Sequence, residues 1–195
     1  MITLMITVLS GCRKEEIEPE VVLPGSGKII GLAMPTQHSQ RWINDCENMK
    51  IRLEELGYLV QDQFAENDVN RQISQIEGFI EQGVDCLVVA AVDSYALGNV
   101  LKKAKEAGIP VIAYDRLITE ADVDLYISFD NSMVGSMMGD AFVQNGVTDT
   151  NVLMLGGSPT DSNVPLVEDA FKKVMEENNN TILDSFHADN WEAEL

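Results

Sequence analysis

Short apolar segments alternate with longer amphipathic segments along most of this chain. The apolar segments have the length of buried strands and are Lys28–Met34, Gly57–Phe64, Asp85–Ala91, Ile109–Tyr114, Leu125–Phe129, Asn151–Leu155 and Thr181–Phe186. The amphipathic segments repeat their apolar residues with helical spacing and are Arg41–Leu56, Asn67–Gln82, Ser94–Ala107, Ser132–Asn145 and Val164–Glu177. Because strands that alternate with helices assemble into parallel sheets, the pattern predicts an α/β fold with a doubly wound parallel sheet.

Two local signals sharpen this prediction. A glycine, which readily adopts the left-handed conformation of a helix C-cap, follows four of the predicted helices, at Gly57, Gly83, Gly108 and Gly146. Residues 115–124, by contrast, contain no full helical repeat. The strand Leu125–Phe129 is therefore predicted to lie at the edge of the sheet or to lead into a second lobe.

The N-terminal residues differ in character from the rest. Residues 1–9 are apolar but shorter than the roughly 20 residues of a membrane-spanning helix, and they lead into Leu9-Ser10-Gly11-Cys12, which resembles a bacterial lipobox. Residues 1–12 are therefore predicted to be a lipoprotein signal peptide, with Cys12 as the lipid anchor. The alternative is an apolar N-terminus that carries a cysteine by chance. Residues 13–27 are charged, contain proline and glycine and show no period, so they are predicted to form a flexible tether.

Composition limits the partners of the chain. It has 13 Lys and Arg residues against 32 Asp and Glu residues, a formal net charge of −19, so it should repel a nucleic acid backbone. His38 and His187 are too far apart for a metal motif, and no glycine motif of a nucleotide site is present, so neither a metal nor a cofactor is expected. Cys46 and Cys86 are expected to be separately buried thiols, with a disulfide between them as the alternative outside the cytoplasm.

Polar and aromatic residues follow several of the predicted strands. Arg41-Trp42 comes after the first strand, Asp115-Arg116 after the fourth, Asp161-Ser162-Asn163 after the sixth, and Trp191 after the seventh. In open α/β sheets, ligands bind beyond the carboxyl ends of the strands. Aromatic faces suit the C–H groups of a pyranose, and fork-shaped donors and acceptors suit its hydroxyl groups. These positions therefore predict a cleft that binds a sugar.

Each of these residues also has a simpler structural interpretation. Arg41-Trp42 is equally compatible with a helix start that has a surface arginine and a half-buried tryptophan. Asp115-Arg116 is compatible with a turn that carries an exposed ion pair. Asp161 and Asn163 are compatible with caps of the next helix, and Trp191 with an ordinary core or surface aromatic residue.

The length of the chain sets its domain organisation. Residues 28–131 have the size of a complete α/β lobe, whereas residues 132–195 are fewer than the about 100 residues of a typical domain. The last four residues, Glu192–Leu195, stop where another helix should begin. The second lobe is therefore expected to be incomplete, and the chain is interpreted as a truncated protein.

Several short segments carry a family resemblance. In chain order they are Gly31-Leu-Ala-Met-Pro-Thr, Arg41-Trp42, Gln75-Ile-Glu, Gly83-Val-Asp, Ala113-Tyr-Asp-Arg, Tyr126-Ile-Ser-Phe-Asp-Asn and Gly156-Gly-Ser-Pro-Thr-Asp. Together they resemble the periplasmic D-xylose-binding and multiple-monosaccharide-binding proteins of ABC transporters. The resemblance implies the type I periplasmic binding protein fold, in which two hinged lobes close on a sugar. The sugar contacts that it implies are Arg41, Trp42, Asp115, Arg116, Asp161, Asn163 and Trp191.

The resemblance implies an extracytoplasmic receptor that delivers an aldose such as xylose to an ABC permease. Together with the lipobox-like segment at Cys12, it predicts a monomeric protein that is anchored to the membrane by lipid. A variant of this role passes ligand occupancy to a sensor kinase or chemoreceptor instead. The effector domain of a sugar-responsive repressor shares the fold, but a helix-turn-helix should then precede Lys28, where the lipobox and tether stand. An enzyme on this scaffold has little support, because no nucleophile elbow, metal cluster or cofactor loop is present. Since further contacts would lie in the rest of the second lobe, the 195-residue chain is expected to bind no sugar measurably.

Overall fold

The computed structural model of the protein describes residues 23–188. Within them, one parallel sheet contains β1 (Ile29–Met34), β2 (Leu59–Phe64), β3 (Cys86–Val89), β4 (Val111–Tyr114) and β5 (Leu125–Ile127), in the order β2-β1-β3-β4-β5. A second sheet consists of the parallel strands β6 (Asn151–Gly156) and β7 (Thr181–His187). The edge position of β5 confirms the first of the two alternatives for that strand.

Helices connect the strands, as the alternating pattern predicted, except between β4 and β5, where residues 115–124 contain none. In the described part of the chain they are α1 (Gln40–Glu55), α2 (Val69–Gln82), α3 (Gly98–Glu106), α4 (Asn131–Gln144) and α5 (Asn163–Glu177). The predicted glycines at the ends of the first four helices all have left-handed φ values, between 69° and 90°, which confirms their capping role. No helix between residues 23 and 188 has the length and apolar character needed to cross a membrane.

Helix α3 begins later than the sequence pattern predicted. Residues 94–96 form a turn, and the helix begins at Gly98. The carbonyl of Ser94 accepts a hydrogen bond from the Thr119 N–H at 2.8 Å, and the Ser94 N–H donates to the Thr160 carbonyl at 3.0 Å. Because the Ser94 carbonyl is already engaged by a distant segment, it is not available for a first helical turn.

Helices cover both faces of the five-stranded sheet. On one face, α2 and α3 pack on a core that includes Phe79, Leu87 and Leu101. On the other face, α1 packs through Trp42 and Cys46. Burial of both faces is typical of a doubly wound parallel sheet and confirms the predicted fold class for this part of the chain.

The β6–β7 sheet is covered on only one face within the described residues. Met154 packs there with Phe171 and Met175 of α5. Leu153 and Leu155 alternate with Met154 along β6 and are 66% and 82% exposed. This sheet therefore presents an apolar face to solvent.

The two cysteines of the described region are free thiols rather than a disulfide. Cys46 is buried in α1, as predicted, whereas Cys86 is only half-buried at the start of β3. Burial, with a smaller contribution from the charge of Asp62, raises the pKa of Cys46 to about 11. Burial also raises the pKa of Cys86. Both thiols are therefore expected to be poor nucleophiles near neutral pH.

Candidate functional site

The carboxyl ends of three strands bring the candidate residues together. Arg41 and Trp42 lie in the first turn of α1 after β1, and Asp115 and Arg116 directly follow β4. Asp161 lies in the loop after β6, and Asn163 is the first residue of α5. Two further predicted positions, Trp191 and the lipid anchor Cys12, lie outside the described residues.

Asp115 stands at the centre of this group. It is only 6% exposed. Its carboxylate pairs with the Arg41 guanidinium through Oδ2 and accepts a hydrogen bond from Asn163 Nδ2 through Oδ1 at 3.1 Å. Its carbonyl accepts from Ser128 Oγ at 2.6 Å, from the Tyr126 hydroxyl at 3.2 Å and from Asn163 Nδ2 at 3.2 Å. Both its side chain and its backbone are therefore held in place from several directions.

The backbone at Asp115 has an unusual conformation. Its φ is 66°, and the Arg116 N–H donates to the Tyr114 carbonyl at 2.8 Å, which closes a tight three-residue turn. A γ-turn with positive φ at its central residue is rare and strained in proteins. Such strain persists where the surrounding structure enforces it, and it is often found at binding and active sites.

Arg41 links this carboxylate to two aromatic rings. Its guanidinium carbon lies 4.8 Å from the ring centroid of Trp42 and 5.8 Å from that of Phe129, distances suited to cation–π contact. Its Nε lies 3.5 Å from Asp45 Oδ2. Burial acts to lower the pKa of Arg41, but the hydrogen bond and charge of Asp115 outweigh it and the net pKa is raised. Arg41 therefore stays charged at every relevant pH.

Arg116 is the most deeply buried cation of the site. Its side chain is 6% exposed, and its Nε lies 2.8 Å from Asp161 Oδ2, whose side chain is also 6% exposed. This Nε–Oδ2 contact is an ion pair by distance but lacks the alignment of a good hydrogen bond. Nη1 of Arg116 donates to the Ala91 carbonyl at 2.7 Å, and the guanidinium carbon lies 5.4 Å from the Trp42 ring centroid. Burial lowers the pKa of Arg116, with the charges of Asp161 and Asp115 opposing the shift.

Asp161 and Asn163 connect the second sheet to the first. Asp161 Oδ1 accepts from the Asn163 N–H, at the first residue of α5, at 2.9 Å. The N-cap position is Ser162, whose side chain makes no capping hydrogen bond, so neither Asp161 nor Asn163 is the N-cap residue that the simpler interpretation expected. Asn163 Oδ1 accepts from Asn131 Nδ2 at 3.0 Å and lies 3.5 Å from the Tyr126 hydroxyl. The Asn163 amide is therefore engaged on both its donor and its acceptor side.

The predicted residues of the described region form a closed ring of contacts. In order around the ring they are Arg41, Asp115, Asn163, Asp161, Arg116 and Trp42. The interpretation of Asp115-Arg116 as an exposed ion pair is wrong, because both residues are buried and each pairs with a residue far away in the sequence. In this arrangement each charged group of the ring lies beside a group of opposite charge, although Arg116 Nε makes no well-aligned hydrogen bond.

The structure adds residues that sequence reasoning did not nominate. Tyr126, Ser128 and Asn131 bond to Asp115 or Asn163, and Phe129, which is 70% exposed, offers a ring beside Arg41. The segment that contains them contributed to the family resemblance but was interpreted only as strand and connection. The mixture of aromatic and hydroxyl side chains in this segment, at a predicted sheet edge, is the sequence signal that could have indicated these residues.

A cavity of about 390 Å³ lies elsewhere, between α3 and residues 115–124. It is lined by Tyr95, Lys102 and Glu120 among others, and contains none of the ring residues. Its charged groups at Lys105 and Asp122 pair with each other. We place the candidate site at the ring because the convergent polar groups, the aromatic faces and the strained turn are all found there. Among residues 23–188, no group of three or more His, Cys, Asp and Glu side chains could hold a metal ion.

Similarity to known proteins agrees with this geometry. Residues 30–195 match the periplasmic binding protein domain. This chain belongs to that family. The family and the type I periplasmic binding protein fold that the sequence predicted are thereby confirmed for the region described.

The relatives of this periplasmic binding protein domain include sugar receptors. This chain is 42% identical over 146 residues to the D-xylose-binding periplasmic protein of Escherichia coli (strain K12), and the match covers 75% of this chain and 44% of that protein. It is 40% identical over 152 residues to the multiple sugar-binding periplasmic receptor ChvE of Rhizobium radiobacter, covering 75% and 43%. A solute binding protein of an ABC transporter from Clostridium phytofermentans, solved with bound β-D-glucose, matches at 39% identity with a TM-score of 0.73, covering 80% and 51%. The chain spans about half the length of these relatives or less.

Proposed function

We propose that this chain is part of an extracytoplasmic receptor that captures a monosaccharide, xylose or another aldose, between two lobes and delivers it to an ABC permease. The observation that carries this proposal is the closed ring of arginine, carboxylate, amide and tryptophan side chains at the carboxyl ends of strands from both sheets. The proposed contacts are Arg41, Trp42, Asp115, Arg116, Asp161, Asn163 and Trp191.

The chemistry of the ring suits sugar hydroxyl groups. A guanidinium presents several donors in a fixed plane, a carboxylate accepts from more than one hydroxyl, and an amide does both. Hydrogen bonds to charged groups contribute about 1.5–3 kcal/mol each, more than bonds between neutral groups. The Trp42 ring supplies a flat face for the C–H groups of a pyranose. Relatives named for xylose, for multiple sugars and for bound glucose support an aldose as the ligand.

Entry of a sugar requires the ring to open. Trp42 is 5% exposed and the carboxylates of Asp115 and Asp161 are paired, so a ligand has to replace existing contacts. Movement of the loop after β6 away from the five-stranded sheet would free these groups, as in hinge closure around a ligand. In the chain alone, each polar group would exchange one partner for another in a cleft open to water, so the net gain per contact would be small. Measurable binding by the 195-residue chain alone is therefore not expected.

We further propose that residues 1–12 are a lipoprotein signal peptide, residues 13–27 a tether, residues 28–131 one lobe and residues 132–195 the beginning of another. Cys12 would then hold a lipid, and Cys12→Ser should move the protein from the membrane fraction to the soluble fraction. Cys46→Ser is the matched control, because Cys46 is buried in α1 and should leave the distribution unchanged. A wild-type protein found wholly in the soluble fraction after export would refute the anchor.

The sugar proposal is tested with a chimera and one point variant. This chain is joined to the part of the E. coli D-xylose-binding protein that lies beyond the matched residues, and xylose, glucose, galactose and arabinose are titrated by calorimetry. Arg41→Met keeps the aliphatic stem but removes the donors to Asp115 and to the sugar, so it should weaken binding by about 1.5–3 kcal/mol. Arg52→Met, on the same helix but 76% exposed, is the control and should bind normally. A folded chimera that binds none of the four sugars, or an Arg41→Met variant of unchanged affinity, would contradict the proposed site.

A further inference from the structure

We propose that Ser94 is a positioning residue of this site, which holds the loop after β6 so that Asp161 faces Arg116. Ser94 follows β3 and was predicted only as the start of a helix. The inference rests on the proposed function in one respect, namely that Asp161 is a sugar contact. The hydrogen bonds that join Ser94 to the loop after β6, here called the clasp, do not depend on sugar.

Ser94 binds both peptide groups that flank Asp161. Its N–H donates to the Thr160 carbonyl at 3.0 Å, and its Oγ accepts from the Ser162 N–H at 3.2 Å. These two groups belong to the peptide units on either side of the Asp161 Cα. Because both units are fixed by one residue, the position and direction of the Asp161 side chain are fixed as well. Ser94 is 0% exposed, so water does not compete for these bonds.

The same serine is tied to the segment that carries Arg116. Its carbonyl accepts from the Thr119 N–H at 2.8 Å and from Thr119 Oγ1 at 3.1 Å. Ala91, in the same loop as Ser94, accepts from Arg116 Nη1 at 2.7 Å. The loop after β3 therefore holds both partners of the buried ion pair. It holds Arg116 through Ala91 and Thr119, and it holds Asp161 through Thr160 and Ser162.

This arrangement separates the role of Ser94 from that of the ring residues. Ser94 binds the backbone on both sides of Asp161 and makes none of the ring contacts, most of which join the side chains of the ring residues. A residue that fixes binding groups in the geometry that the ligand requires raises affinity without touching the ligand, because the protein loses less conformational entropy on binding. The Ser94 hydroxyl thus sets the spacing of Asp161 and Arg116 across the two sheets.

The test uses Ser94→Ala in the 195-residue chain and contains no sugar. The substitution removes only the acceptor of the Ser162 N–H and leaves the backbone bonds of Ser94 in place. Hydrogen exchange by NMR should become about 2- to 13-fold faster at the Ser162 amide, the range for loss of one net hydrogen bond. Exchange at the enclosed Arg116 Nε–H should accelerate with it, while the Val88 amide in the central sheet should not change.

Two further variants make the outcome decisive. Ser136→Ala removes a serine hydroxyl that bonds only to a helical carbonyl of α4, so it should alter none of these rates. Thr119→Val removes the other hydroxyl contact to Ser94 and should accelerate Arg116 Nε–H exchange even if Ser94→Ala does not fold. Faster exchange at Ser162 with an unchanged Arg116 Nε–H would overturn the proposal, and so would equal acceleration at Val88, which would make Ser94 a general structural residue. If exchange at the Ser162 amide and at the Arg116 Nε–H accelerates together but the chimera binds no sugar, the sugar site is refuted and the positioning role of Ser94 still holds.

Discussion

Replacement of Asp161 by alanine is expected to lower the free energy of unfolding by about 3–5 kcal/mol, as found when one partner of a buried ion pair is removed. The side chains of Arg116 and Asp161 are both 6% exposed, so the change would leave a cation in the interior without its nearest counter-charge. Burial already lowers the pKa of Arg116, which shows that its charge is costly at this position. Urea unfolding followed by circular dichroism measures the loss.

Two variants separate this effect from ordinary surface electrostatics. Glu55→Ala breaks the pair of Arg52 and Glu55, whose side chains are 76% and 54% exposed, and should change stability by less than about 1 kcal/mol. The double variant Arg116→Met and Asp161→Leu removes both charges and should recover most of the stability lost in Asp161→Ala. If Asp161→Ala were as mild as Glu55→Ala, the ion pair would not be buried as the structure shows.

The sequence was sufficient to predict the order of elements and the strand ends at which the candidate residues lie. Apolar runs, helical spacing and C-capping glycines are local signals, and they located the strands and the ends of the helices well. The carboxyl-end rule then placed Arg41 and Asp115 at one edge of the five-stranded sheet, because parallel strands end on the same side of their sheet, and Asp161 at the corresponding end of the β6–β7 sheet. These predictions depend on chain direction and periodicity, both of which can be read from sequence.

The pairing within the site could not be predicted in the same way. Asp115 and Arg116 are neighbours in sequence, yet Asp115 pairs with Arg41 and Arg116 with Asp161. The choice depends on the tight turn at Asp115, whose positive φ leaves no mark in the sequence because the residue is not glycine. The late start of α3 has a similar cause, since the partners of Ser94 lie in distant segments.

The largest effect on solution behaviour is expected from the exposed face of the β6–β7 sheet. Parallel sheets normally have both faces covered, but here Leu153, Leu155 and Phe186 are 66%, 82% and 55% exposed. On α4, Met133 and Met137 are 58% and 64% exposed, which adds further apolar surface. A large exposed apolar surface promotes association, and the repulsion due to the net charge of −19 is screened by salt beyond about 8 Å. The 195-residue chain is therefore expected to self-associate at micromolar concentration and to bind a hydrophobic dye.

Charged substitutions on this face should restore a monomer. The triple variant Leu153→Lys, Leu155→Lys and Phe186→Lys changes exposed side chains, so it should cost little stability while abolishing dye binding and reducing the mass measured by light scattering to that of one chain. A control with the same change in charge places lysine at exposed apolar positions outside this face, at Ile51, Leu59 and Tyr95, which are 57%, 60% and 52% exposed. The control should still associate, because the sheet face is intact. A monomeric wild-type chain without dye binding would mean that other residues cover this face, whereas equal rescue by both variants would assign the association to net charge instead of to the β6–β7 sheet.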